Sequence, residues 1–143
     1  MKALSLLLLA LIVAGCARSG RETAAATSDA LERNPASASD GAVLYLQNCS
    51  SCHQSDGRGV PGAFPPLAGN PVVSGNPTAV IAIVKNGLDG RLIVNGGAYS
   101  GIMPRWGGVL SDEQLADVIS YIRTSWKNQG KPVSTSDVAA VKL

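Results

Sequence analysis

The hydrophobic pattern changes character several times along the chain, and each change marks an element. Leu4 to Val13 is almost wholly apolar and follows a single basic residue, Lys2. That run is shorter than the ~20 residues a helix needs to cross a bilayer. With small residues after it, it predicts a secretory leader over residues 1–15. Residues 16–38 are rich in Ala, Ser and Thr and keep no sustained period. They have the composition of a flexible linker, and a coil of ~20 residues spans on the order of 25 Å. A short helix across Thr27–Arg33 would alter its reach only. Helical spacing begins near Asp40, with Ser39 or Asp40 as the cap, and continues through Val43, Leu44 and Gln47 into Cys49. Gly41 and Tyr45 lie four apart on one face, where a second helix can cross closely.

Beyond His53 the pattern breaks. Gly57, Gly59, Pro61, Gly62, Pro65 and Pro66 exclude any regular element, so this stretch is a loop. Asn76-Pro77 then opens a helix, Asn as cap and Pro in the first position. Val80, Ile81, Ile83 and Val84 form its buried side and Asn86-Gly87 closes it. Arg91–Val94 followed by Asn95-Gly96-Gly97 predicts a small turn or hairpin leading to Met103. The last long helix starts at a capping box, Ser111 with Gln114 three residues on. Leu115, Val118, Ile119, Ile122 and Trp126 follow at helical spacing, and Lys127 and Gly130 are expected to end it. A short helix across Ser134–Lys142 is possible in a tail over 132–143, leaving 39–131 as the one folded domain.

The chemistry sits in Cys49-Ser50-Ser51-Cys52-His53. On a helical turn, positions three and four apart share a face, so Cys49, Cys52 and His53 point at one ligand. Two thiols can add to the vinyl groups of a porphyrin, and the imidazole can bond its iron. The C-x-x-C-H run is the attachment form of haem c. A thioredoxin-like pair would want a βαβ context, and a structural zinc site would want a fourth ligand; a simple disulfide is the remaining competitor.

An electron-carrying iron needs a sixth ligand, and the choices are few. His53 is the single histidine, which excludes a second imidazole. Met1 leaves with the leader, so Met103, in Gly101-Ile102-Met103-Pro104, is the remaining thioether. Tyr45 and Tyr99 are weaker candidates. An axial histidine commonly donates its other ring N–H to a carbonyl, for which Pro65-Pro66-Leu67 offers acceptors.

Composition fits this picture. Only 4% of residues are aromatic, with one phenylalanine, so a porphyrin would supply bulk that a small core lacks. The formal net charge is +2, and loss of Lys2 together with the haem propionates would tip the mature protein slightly negative. No basic patch points to nucleic acid, and partner docking should rest on apolar contact around a haem edge.

The domain resembles class I monohaem cytochrome c. The matching features are Gly41-x-x-x-Tyr45 ahead of the C-x-x-C-H run, Pro65-Pro66-Leu67, Gly101-Ile102-Met103-Pro104, and a final helix carrying Tyr121. The resemblance implies an all-α fold, a few helices wrapped around one covalent haem c, with glycine- and proline-rich loops. It implies crossing of the first and last helices near Gly41, Tyr45 and Tyr121, and Pro66 as the carbonyl holding the His53 ring. Candidate propionate contacts are Arg105 and Trp106 first, then Arg58, Arg91 and Tyr99. Gly62 to Pro71 is worded like cytochrome domains linked to periplasmic alcohol dehydrogenases and to nitrite or oxygen reductases. Val13-Ala14-Gly15-Cys16 resembles a bacterial lipobox, which would make Cys16 a lipidated first residue.

The expected function is therefore a periplasmic, lipid-tethered carrier of single electrons between the redox partners of a respiratory chain, with His53 and Met103 on the iron. A fixed subunit of a dehydrogenase or reductase complex is the alternative. A haem peroxidase or gas sensor is a third reading, and requires Met103 to be absent from the iron or readily displaced.

Overall fold

The computed structural model describes residues 35–143; the leader, most of the linker and Cys16 lie outside them. The elements are α1 (Pro35–Asn48), α2 (Ser50–His53), α3 (Pro71–Ser74), α4 (Pro77–Asn86), β1 (Leu92–Val94), β2 (Gly97–Tyr99), α5 (Asp112–Thr124) and α6 (Thr135–Ala140). The helical fold expected of a class I cytochrome c is present. The β1–β2 hairpin is the one strand pair among the described residues.

Several elements follow from local chemistry. Asn76 caps α4 by accepting from the Thr78 N–H, with Pro77 behind it. Ser111 and Gln114 form the reciprocal capping box of α5. The hairpin pairs Leu92 with Tyr99 and Val94 with Gly97. Its turn residues Asn95 and Gly96 both have positive φ, 49° and 79°, the requirement of the turn that matches strand twist.

Two boundaries differ from expectation. α1 begins at Pro35 rather than near Asp40, because a proline is pre-set for the first helical turn and Ala36 and Ala38 favour the helix beyond it. α5 stops at Thr124, so Trp126 is not on its helical face. Trp126 and Lys127 instead take φ of 50° and 66°. That reversal turns the indole inward onto Tyr45 and Tyr121, with ring centroids 5.0 and 5.6 Å away. It also covers Gly57, where a β-carbon would lie 2.6 Å from the indole.

The core gathers on α5, which packs on α1, α3, α4 and α6. Tyr45, Leu115, Ile119 and Val138 are fully buried. Asn128 and Arg123 are also buried and serve as polar clasps. Asn128 accepts from the Gly69 N–H and donates to the Leu67 and Ile122 carbonyls. Arg123 donates to the carbonyls of Lys131, Val73 and Gly75. A guanidinium satisfied in this way fixes α3 against α5, since each carbonyl left without its donor would cost about 1–3 kcal/mol.

At the α1–α5 crossing, a β-carbon on Gly41 would collide with the Asp117 carbonyl oxygen and lie 2.9 Å from Tyr121 Cβ. In an open helix Gly→Ala is favourable by about 1 kcal/mol. Here the neighbour is backbone and cannot yield, so overpacking of about 1–3 kcal/mol should win. Gly41→Ala is expected to lower the urea midpoint of the matured protein. A raised midpoint would show that the crossing is looser than described.

A cavity walled by two thiols, one imidazole and one thioether

The attachment turn continues α1. The Cys49 N–H donates to the Tyr45 carbonyl at 2.9 Å, and the His53 N–H to the Cys49 carbonyl at 2.9 Å. This keeps helical geometry through α2 and places Cys49, Cys52 and His53 together on the wall of a cavity of about 340 Å³. Met103 lines the same cavity. Apolar side chains from three helices complete it, among them Val73, Val80, Val84, Val118 and Ile122. No charged side chain among the described residues lines it.

His53 is buried, and its Nδ1–H donates to the Pro65 carbonyl at 3.0 Å. Burial pushes the imidazole pKa down, with the Pro65 bond opposing, which favours the neutral ring. With Nδ1 occupied, Nε2 keeps a lone pair for a metal. The acceptor expected from the resemblance was Pro66, and that is corrected to Pro65. Successive carbonyls along an extended run point in different directions, and the Pro66 carbonyl takes the Asn70 side-chain N–H at 2.8 Å instead. Asn70 also caps α3 through the Val72 N–H. The loop is closed further by the Gly59 N–H on the His53 carbonyl and the Leu67 N–H on the Gly57 carbonyl.

Cys49 and Cys52 are unpaired thiols. Burial first, and then the neighbouring Cys52, pushes the Cys49 pKa up to about 11, so it is held as the thiol. Met103 arrives on a segment joined to the residue after α4's cap: the Leu88 N–H donates to the Met103 carbonyl at 3.0 Å and the Met103 N–H to the Leu88 carbonyl at 2.8 Å.

The second-rank candidates divide. Trp106 and Tyr99 line the cavity. Arg105 is exposed and does not line it, and neither do Arg58 and Arg91; Arg58 lies beside Asp56 at the surface, 3.4 Å away. Asn70 was missed as a site residue, and Pro65 was named only within the run of possible acceptors Pro65-Pro66-Leu67. Asn70-Pro71 carries the same cap signature as Asn76-Pro77, and that signal could have found α3 and its asparagine.

Two free thiols, an imidazole with one nitrogen spent, a thioether and a dry apolar wall fit a covalent haem, and they do not supply a closed four-ligand zinc site. Comparison with known proteins agrees. The cytochrome c family model matches residues 38–126. The chain is 43% identical over 105 residues to the cytochrome c subunit of a quinone alcohol dehydrogenase from Gluconacetobacter polyoxogenes, covering 71% of this chain and 22% of that subunit. It is 40% identical over 106 residues to the gluconate 2-dehydrogenase cytochrome c subunit of Pantoea cypripedii, covering 71% of this chain and 24% of that one. It thus spans between 22% and 28% of the dehydrogenase subunits it matches. Against cytochrome c-552 of Thermus thermophilus it is 41% identical over 96 residues, covering 64% of this chain and 72% of the other. With its attachment turn, its cavity and these relatives in agreement, the chain belongs to the cytochrome c family, with covalently bound haem c as its cofactor.

Proposed function

We propose that this chain carries single electrons on a haem iron that His53 and Met103 would hold, outside the cytoplasm and tethered to a membrane through Cys16. One observation supports the ligand pair above the rest. The single histidine and the single methionine beyond the leader line the same cavity as the two attachment thiols.

Haem c supplies an iron that exchanges one electron between its ferric and ferrous states. The chain's residues set the conditions. Cys49 and Cys52 retain the group by covalent bonds. The Pro65 carbonyl orients the His53 ring and raises its basicity. Met103 would be the second protein ligand to the iron, would raise the potential relative to a second nitrogen ligand, and would leave substrates no open site. That last point argues against the peroxidase or gas-sensor reading. Of the candidate propionate contacts, Trp106 and Tyr99 line the cavity and would be the ones to meet the propionates.

Val72 and Ile102 line the cavity and are exposed, Ile102 at 67%. They give a redox partner an uncharged, apolar rim to meet. The alcohol and gluconate dehydrogenase subunits among the relatives favour a dehydrogenase as the donor, either in passing contact or as a lasting complex.

Met103→Ala should keep haem covalently attached while abolishing the sulfur-to-iron charge-transfer band of the ferric protein, lowering the potential and admitting carbon monoxide to ferrous iron. An unchanged spectrum and potential would mean that another group ligates the iron.

Cys16→Ser is expected to move the protein from the membrane fraction to the soluble periplasmic fraction. Retention in the membrane would contradict the lipid tether. Recovery of the parent protein from detergent together with a dehydrogenase would favour the lasting complex, and recovery alone the mobile carrier.

A further inference from the structure

The segment bearing Met103 is fastened to the carboxyl end of α4, and that end is gripped from behind by residues beyond the family match. The last carbonyls of a helix have no partner within it. In α4 the Gly87 N–H takes the Ile83 carbonyl at 2.8 Å. The Trp106 N–H takes that of Val84 at 3.1 Å, and the Gly107 N–H that of Lys85 at 2.9 Å. The ligand arm is thus the C-terminal cap of α4, and it moves with that end.

Three contacts hold this end and come from residues 138–143, whereas the family match stops at 126. Lys85 is buried at 7% exposure. Its Nζ donates to the Val138 carbonyl at 2.8 Å and pairs with Asp112 Oδ1 at 3.1 Å. The Asn86 side chain donates to the Lys142 carbonyl at 3.2 Å. Leu143 lies against Gly107 so closely that a β-carbon on the glycine would overlap its Cδ2. Lys85 therefore touches the arm with its backbone and the C-terminal segment with its side chain. A buried ammonium is costly to maintain without partners, and its two partners place it where α4, α5 and α6 meet.

We infer that residues 132–143 form a strap that holds the Met103 arm against the cavity, with Lys85 as the positioning residue that transmits its grip. The strap governs how readily the thioether leaves the iron, not whether the haem stays attached, since Cys49, Cys52 and His53 are carried by α1 and α2. This rests on Met103 being the axial ligand.

The test uses the full, haem-loaded ferric protein and imidazole as the displacing ligand. The rate at which imidazole removes the sulfur-to-iron band reports opening of the arm. Lys85→Met keeps the bulk and removes the charge, and a chain lacking 142–143 removes the Asn86 and Gly107 contacts more gently. Loss of one charge-assisted hydrogen bond corresponds to roughly tenfold or more in the opening equilibrium. Both variants should speed displacement, Lys85→Met by about that factor, with haem still covalently bound. Gly41→Ala, which weakens the fold on another face of α5, should leave the rate within about twofold at a comparable loss of urea midpoint. Unchanged rates in both strap variants overturn the proposal. An equal acceleration in Gly41→Ala does so too, because the tail would then stabilise the fold without acting on the ligand. A parent protein lacking the band overturns the ligand assignment and the strap with it, whereas a band with unchanged rates removes the strap alone.

Discussion

An apolar cavity that the chain cannot fill by itself is the constraint on which the rest of this structure depends. Val73, Val80, Val84, Val118 and Ile122 belong both to its wall and, among the buried residues, to the hydrophobic core. Core and site are one object. With a single phenylalanine in the whole chain, the bulk must come from the cofactor, and covalent attachment ensures that the bulk cannot be lost. Attached in the unfolded chain as well, the group favours the fold by what folding lets it bury: its apolar faces leave water only when this cavity closes around them.

The two sides of the cavity are built differently. The attachment side is local: five consecutive residues on one helical continuation, oriented by a single bond from His53 to Pro65. The methionine side is assembled from distant pieces, with α4, the arm that caps it and the C-terminal segment meeting at Lys85. Local construction makes the first side insensitive to its surroundings. The second depends on contacts between residues 53 and 56 positions apart, and on the proposed ligation it would be the side at which a ligand is exchanged.

That difference also explains what could be read from the sequence. The C-x-x-C-H turn, the caps at Asn76 and Ser111, and the Asn95-Gly96 turn are contiguous signals with local causes, and all appear where expected. Met103 was reached by elimination, and it lines the cavity together with the attachment residues. The choice between Pro65 and Pro66 was beyond sequence, because it turns on the direction of one carbonyl. Arg123, Asn128 and Lys85 look like surface residues in a linear chain. Their partners lie 50, 61 and 53 positions away, so only the folded arrangement shows that they are buried and satisfied. Trp126 misled for a related reason, since its helical spacing from Ile122 was real while the chain reversed before reaching it.

The central claim is that one iron is held between the chain's only imidazole, His53, and the thioether of Met103. Iron-edge X-ray absorption on the matured protein, in both oxidation states, tests it most directly. The account predicts six-coordinate iron with five nitrogen neighbours and one sulfur neighbour, in ferric and ferrous protein alike. A first shell of light atoms only, or five-coordinate iron, would contradict it.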